Sequence, residues 1–192
     1  MTQRLSMLDR DDLSDEQREL WDGLTESRGT GLNLFDDDGH LVGPFNSWLH
    51  VPKIGRRLSS LGAHLRFETS IERRLSEVAI CTVGAHWHSE FEFFAHAPIA
   101  LDHGVDQAVI DALRDGRIPS FERSDEQTVY AVATQLLDER RVDAETYQAA
   151  EALLGEAGMV ELVALIGYYC LISMLLNLFE VPLPNGAATN WP

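Results

Sequence analysis

The sequence has few cysteines and few basic residues, and both shortages exclude classes of protein. Its two cysteines, Cys81 and Cys170, lie in apolar runs, so they do not form the disulfide framework of a small secreted domain. Lys53 is the only lysine, and no basic residue follows Arg141. Because nucleic acids require clustered cations, we expect no nucleic-acid partner. The formal net charge of −16 predicts a strongly hydrated surface that anionic membranes repel.

A secretory signal is also lacking, because the charged N-terminal residues contain no apolar core segment. We therefore expect a cytoplasmic protein. The run from Met159 to Phe179 is long enough to span a bilayer and has only Glu161 and Asn177 as strongly polar members. It lacks the basic flanks that anchor a transmembrane helix. We expect a buried core or oligomer-interface helix there, and no membrane partner.

Alternating runs of Val, Ile and Thr, which mark strands, are nearly absent, whereas helix caps and amphipathic repeats recur. The fold class is therefore predicted to be all-α. The 192 residues fit one main domain. We expect an N-terminal helix and loop in residues 1–43, a helical domain in 44–181 and an extended tail in 182–192.

The sequence contains a faint internal repeat, which we call the echo. When Glu77 is aligned with Glu161, Pro98 aligns with Pro182. Both glutamates open apolar helices. The echo predicts two similar helical halves, of which only the first has polar chemistry at its centre.

The stretch from residue 77 to 103 holds four of the seven histidines. Within it, Ser89 and Glu92 have the spacing of a capping box, which predicts a helix from Ser89 to His103. Glu92 and His96 are four residues apart and so share a face of this helix, with His103 seven residues further on the same side. A carboxylate and an imidazole at this spacing can share a proton, as general acid and base catalysis requires.

Three interpretations of this cluster are open. In the first, Glu92 is only a capping partner and His96 a partly buried polar residue. In the second, His88, Glu92 and His96 bind a metal, although His88 and His96 would lie about 12 Å apart along the helix. One ion would then take an adjacent pair plus ligands from elsewhere. The third is acid and base catalysis without metal or organic cofactor.

The chain resembles the carboxymuconolactone decarboxylase family, whose relatives include the AhpD-type alkylhydroperoxidase proteins. The resemblance covers about residues 43–118 and is carried by Gly43-Pro44-Phe45-Asn46, Pro52, Leu75, Glu77, Glu92 with His96, and His103-Gly104-Val105. It implies an AhpD-like helical bundle that assembles as a trimer or hexamer. It also implies a site near the start of the helix that carries Glu92 and His96.

AhpD-type members carry a Cys-x-x-Cys pair followed by a His, with a Glu on the preceding helix. On this sequence the Glu falls at Glu77 and the His at His96, but the cysteine positions fall at Ser89 and Glu92. Because the thiol pair is missing, the resemblance favours the decarboxylase branch, which acts on small lactone acids without a cofactor. The alternative within the superfamily is a peroxidase-related protein without thiol activity.

The decarboxylase resemblance implies roles for the polar residues. His96 would donate the proton, Glu92 would set the tautomer of His96, and Glu77 would be the second carboxylate. The expected ligand is a small organic acid or lactone, and the expected reaction is decarboxylation, isomerisation or lactone opening.

Five further residues are predicted to bind the substrate. The backbone amides at the helix start near Ser89 favour an anion, and His86 and His88 precede this start. Arg73 and Arg74 are the nearest cations in sequence, and a guanidinium can bind a carboxylate through two parallel hydrogen bonds.

Overall fold

The computed structural model describes residues 4–27, 34–184 and 187–191. In this part of the chain there is no strand beyond an isolated antiparallel bridge between Phe35 and Leu41. After a short 3-10 turn at Arg10–Asp12 there are eight α-helices: α1 (Asp15–Ser27), α2 (Pro44–Leu49), α3 (Pro52–Phe67), α4 (Arg73–His86), α5 (Glu90–Asp102), α6 (Gln107–Arg114), α7 (Ser124–Asp138) and α8 (Ala144–Leu178). The all-α prediction is confirmed.

The first three helices form one side of the molecule. The amide of Ser14 donates to Gln17 Oε1 at 2.8 Å and so helps to start α1. Helices α2 and α3 begin at Pro44 and Pro52, because the fixed φ of proline suits the first turn of a helix. Helix α1 packs against both of them.

Helix α4 is the centre of the fold. It packs against α5, α7 and α8, and every residue from 74 to 84 is buried. A three-residue turn connects α4 to α5, and within it His88 adopts a left-handed conformation with φ 46°. The short connection forms α4 and α5 into a helical hairpin. Polar side chains on their facing sides are therefore brought together.

Helix α5 has Ser89 and His103 as its N-cap and C-cap residues, close to the predicted bounds, but the predicted capping box is wrong. Ser89 occupies the N-cap position, yet its side chain makes no capping hydrogen bond. Ser89 is fully buried, and the carboxylate of Glu92 lies near His96 instead.

Helix α8 is broken at Gly155, whose φ of 67° and ψ of 174° are not helical. Among the described residues it is the one helix long and apolar enough to span a bilayer by length and composition, and 44% of its most apolar window is buried. The buried face supplies Tyr168, Tyr169 and Ile172 to the core. The opposite face leaves apolar side chains such as Val160 and Leu178 exposed.

The C-terminal segment is non-helical in residues 181–184 and 187–191. Both oxygens of the Glu90 carboxylate hold it in place, accepting hydrogen bonds from the amides of Asn190 at 2.7 Å and Trp191 at 3.0 Å. At the position that echoes Glu77, the carboxylate of Glu161 accepts from the amide and hydroxyl of Ser70. Glu161 thus connects α8 to the segment between α3 and α4.

Candidate functional site

A continuous chain of polar contacts runs through the interior between α4 and α5. Arg73 Nη2 lies 2.6 Å from Glu77 Oε1. The other oxygen of Glu77 lies 2.7 Å from His96 Nδ1, and His96 Nε2 lies 3.6 Å from Glu92 Oε2. The side chain of Glu77 is fully buried, and those of His96 and Glu92 are 9% and 6% exposed. We call these four residues the relay.

The hydrogen bonds of the relay indicate the tautomer of His96. A carboxylate paired with a guanidinium is ionised and can only accept hydrogen bonds. The Nδ1 atom of His96 therefore carries the proton that Glu77 accepts. The second ring nitrogen, Nε2, is left facing Glu92.

A small cavity of about 50 Å³ borders the relay at His96 and Glu92. Helices α2, α3, α5 and α8 enclose it, and most of its wall is aromatic or apolar. The ring of Tyr169 meets the ring of His96 edge to face, with 5.0 Å between centroids. The remaining wall is formed by Pro44, Phe45, Trp48, Arg66, Phe91, Ala95, Tyr168 and Ile172.

Burial also shapes the chemistry of two neighbouring groups. It raises the pKa of the Cys81 thiol well above its usual value, and the charges of Glu77 and Glu92 raise that pKa further. Burial likewise raises the pKa of the Tyr169 phenol. Both groups are therefore protonated at neutral pH. Cys81 is not a reactive thiolate, since such thiolates need a lowered pKa and partial exposure.

The structure changes the predicted arrangement of the two carboxylates. Glu77 is the one in hydrogen-bond contact with His96, so Glu77, rather than Glu92, orients the imidazole and selects its tautomer. The 3.6 Å separation of Glu92 from Nε2 exceeds an ordinary hydrogen bond. His103 does not join them, because it lies exposed at the end of α5.

The two predicted substrate arginines have protein partners instead. Arg73 belongs to the relay and also donates to the carbonyl of Arg66 at 2.7 Å. Arg74 lies 2.6 Å from carboxylate oxygens of both Asp125 and Glu126 on α7. Neither guanidinium lines the cavity beside His96. That Arg73 or Arg74 binds a substrate carboxylate therefore stays a prediction, and the contacts of both guanidinium groups do not favour it.

The other predicted substrate-binding residues also lie away from this cavity. His86 Nδ1 is 3.2 Å from Asp138 Oδ1, and the ring of His88 stacks on Trp191 with 5.0 Å between centroids. Both histidines border a separate surface groove beside α7. Ser89 is buried and does not line the cavity.

The predicted metal stripe of His88, Glu92 and His96 is not assembled. Within the described ranges, no group of three or more His, Cys, Asp or Glu side chains could hold a metal ion. The stacking of His88 on Trp191 explains this, since that ring is held in a different contact.

Sequence reasoning missed two residues of the cavity wall. Arg66 is a half-buried cation from α3, with its guanidinium 5.3 Å from the Phe67 ring centroid. Tyr169 comes from α8 and contacts His96. Both are far from His96 in sequence and carry no local motif, so only the packing of the helices reveals them.

The sequence matches no protein-family model and no curated protein. Solved structures do match it. The alkylhydroperoxidase AhpD core, an uncharacterized peroxidase-related protein from Ralstonia eutropha JMP134, superposes with a TM-score of 0.73 at 13% identity, over 96% of this chain and 93% of that one. An uncharacterized peroxidase-related protein from Silicibacter sp. TM1040 gives a TM-score of 0.72 at 11% identity, over 96% and 92%.

A third similar structure is the debrominase Bmp8, crystallised as a Cys-to-Ala variant with 2,3,4-tribromopyrrole. It superposes with a TM-score of 0.68 at 14% identity, over 95% of this chain and 92% of that one. At such sequence identities the structural similarity establishes the fold alone. The helices that carry the relay are thus arranged as in AhpD-like proteins, and this chain has the AhpD-like all-helical fold.

Proposed function

We propose that the protein is an acid and base enzyme without a cofactor, acting on a small organic acid or lactone by decarboxylation or a related proton transfer. The observation that carries the proposal is the relay beside the cavity: a buried imidazole is oriented through Nδ1 by Glu77 and leaves Nε2 toward a second carboxylate. A general acid or base needs this kind of fixed orientation.

In a decarboxylation, the bond between the ring carbon and the carboxylate carbon breaks and carbon dioxide leaves. The electron pair of that bond remains in the conjugated system of the substrate. A proton from His96 Nε2 then forms the new bond to carbon, and Glu92, after taking up a proton from solvent, returns that proton to Nε2. The carboxylate of Glu77 stabilises the imidazolium form of His96 before this transfer, and Arg73 holds the Glu77 carboxylate in place.

Arg66 is our candidate for binding the substrate carboxylate. Its side chain is the one cation among the described residues that line the cavity. A planar guanidinium can donate two parallel hydrogen bonds to one carboxylate. An organic anion held there would place its reacting carbon near His96.

A thiol mechanism is not favoured, although two of the similar structures are peroxidase-related proteins. The positions that the AhpD resemblance assigns to the thiol pair hold Ser89 and Glu92. Cys81 is buried, and its pKa is raised. Burial also raises the pKa of Cys170. These features support the form of the superfamily that lacks thiol activity.

The experiment is a screen of lactone and keto acid substrates followed by ultraviolet absorbance. His96→Ala should lower turnover about 100- to 10,000-fold, the usual contribution of a general acid or base. Glu77→Gln and Glu92→Gln should lower kcat more than they raise KM. Arg66→Met should mainly raise KM.

His103→Ala is the matched control, since His103 is an exposed histidine at the end of the same helix. It should keep full turnover, and all variants should keep the helical circular dichroism signal. Unchanged turnover in His96→Ala would remove His96 from the mechanism and contradict the proposal.

We further propose that the partner of the exposed face of α8 is a second copy of this chain. Exposed apolar or small residues recur there at alternating steps of three and four: Ala157, Val160, Ala164, Gly167, Leu171, Met174 and Leu178. This is the spacing of helices that pack along a common seam. This stripe carries no charge, whereas the whole chain has a formal net charge of −16. No basic residue follows Arg141 that would anchor α8 in a membrane. The stripe therefore favours self-association.

Gly167 allows a clean test of this contact. A Cβ at Gly167 would meet nothing within 4 Å in the subunit, so Gly167→Leu should leave the subunit folded but separate the copies. Gly23→Leu on α1 is the control, because a Cβ there also meets nothing within 4 Å. Light scattering should show smaller particles only for the Gly167 variant. Equal particle mass in both variants would contradict the contact.

A further inference from the structure

A second cavity, larger than the one at His96, lies beneath the C-terminal segment. Its volume is about 290 Å³, close to the size at which small-molecule pockets begin, about 300 Å³. It is bounded by the start of α5, the end of α8 and the segment that follows. Its lining residues are Glu90, Phe91, Leu176, Asn177, Glu180, Val181, Pro182, Leu183, Ala187 and Thr189. We call it the tail cavity.

Most polar groups of the tail cavity are already engaged. Glu90 holds the amides of Asn190 and Trp191. Asn177 Nδ2 donates to the carbonyl of Trp87 at 2.7 Å, and Glu180 pairs with Arg4. No cation is among the described residues that line the tail cavity. A ligand there would meet apolar surface and carboxylates, so the tail cavity favours an uncharged, apolar group over an anion.

The tail cavity and the cavity at His96 share one described lining residue, Phe91. Its buried ring lies against the backbone of Gly43, because a Cβ at Gly43 would come within 2.5 Å of the ring. Gly43 has a φ of 63°, a conformation that favours glycine. The glycine before α2 therefore leaves the space that the Phe91 ring occupies.

We propose that the tail cavity binds the uncharged, apolar part of the substrate and that Phe91 separates it from His96. The proposal rests on the proposed function and narrows its substrate class. The cavity of about 50 Å³ at His96 is far smaller than a ligand pocket. A substrate with one carboxylate on Arg66 and an apolar ring or short chain in the tail cavity would cross the position of the Phe91 ring, so this ring moves aside when the substrate binds. The substrate class is thus a small amphiphilic acid.

The first test is a fluorescence titration of the full chain with N-phenyl-1-naphthylamine, an uncharged apolar probe. We expect saturable binding that uncharged six-membered lactones displace, and at least ten-fold weaker binding to Ala187→Phe, which fills the tail cavity. Ala188 is exposed and does not line the cavity. Ala188→Phe should therefore bind as the wild type does. Equal affinity of the wild type and Ala187→Phe would overturn the tail cavity as a binding site.

The second test concerns Phe91. Phe91→Leu and Phe91→Ala should join the two cavities, so the bound probe should shift the nuclear magnetic resonance signals of the His96 imidazole. Phe94→Ala, from an exposed position on the same helix, should leave those signals as in the wild type. Unshifted His96 signals in both Phe91 variants, with the probe bound, would overturn the role of Phe91.

The two proposals fail in different ways. Probe binding that depends on Ala187, together with full turnover of His96→Ala, would sustain the tail cavity and contradict the catalytic proposal. Turnover that depends on His96, together with no probe binding, would overturn only the tail cavity.

Discussion

Arg73 and Arg74 are adjacent in the sequence and both bind buried carboxylates, but their contacts lead to different parts of the molecule. Arg73 leads through Glu77 to the imidazole of His96 and to a cavity. Arg74 joins α4 to α7 through Asp125 and Glu126, with Glu72 as a third carboxylate partner. The first network therefore borders a cavity, whereas the second only joins two helices, and we call the second network the helix clamp.

This difference teaches how a buried ion pair can be placed to serve either stability or chemistry. If Arg73 is lost, Glu77 keeps the hydrogen bond from His96 Nδ1. If Arg74 is lost, Asp125 and Glu126 lose the cation that they share between α4 and α7.

The largest expected effect is on stability, from Arg74→Ala. The side chain of Arg74 is 7% exposed and that of Glu126 is 4% exposed. Breaking such a buried pair typically costs about 3–5 kcal/mol. Urea unfolding at pH 7 should show this loss in the free energy of unfolding. Arg114→Ala, which removes a half-exposed arginine with acidic neighbours, should cost less than about 1 kcal/mol. Similar losses of unfolding free energy in both variants would contradict the role of Arg74 in joining α4 to α7.

A smaller effect is expected from Arg73→Gln. The side chain of Arg73 is 19% exposed and pairs with one carboxylate, that of Glu77, whereas Arg74 is 7% exposed and pairs with three. The free energy of unfolding should therefore fall by less in Arg73→Gln than in Arg74→Ala. Urea unfolding of both variants at pH 7 measures the difference, and an equal or larger loss in Arg73→Gln would contradict this ranking.

The smallest expected effect concerns Asp125. The hydrogen bond from Arg74 holds the pKa of Asp125 below its usual value. A lowered folded-state pKa stabilises the fold above the unfolded value of about 3.9, and the stabilisation is lost as the pH falls through the folded pKa. Asp125→Asn should thus weaken the fold at pH 7 but lose less stability than the wild type between pH 5 and pH 2.

Urea unfolding across that pH range measures the Asp125 effect, and Asp102→Asn, at an exposed site, is the control. If the Asp125 variant loses as much unfolding free energy in acid as the wild type does, other carboxylates must cause the acid sensitivity.

Local patterns predicted the helices well, because helix starts and amphipathic repeats are written into neighbouring residues. They placed Glu92 and His96 on one face, since a spacing of four decides that alone. Glu77 was reached only through the family resemblance. Its hydrogen bond with His96 depends on how the α4–α5 hairpin closes, which no single helix encodes.

The partners of Arg74 could not be predicted in this way, whereas Glu77 lies four residues from Arg73 on one face of α4. Successive residues of a helix point about 100° apart, so Arg73 and Arg74 face different neighbours. Which neighbour Arg74 meets depends on α7, more than 50 positions along the chain, where Asp125 and Glu126 bind it. Arg66 and Tyr169 were missed for the same reason, since tertiary packing alone brings them beside His96.

The three-residue turn around His88 has a consequence for how this protein can vary. One inserted residue in that turn would move the start of α5 relative to α4. It would thereby take the imidazole of His96 out of hydrogen-bond reach of Glu77, which lies 2.7 Å away, even with every side chain of the relay retained. Lengthening the turn should therefore be tolerated far less than lengthening the loop between α6 and α7, which makes the length of this connection a part of the site.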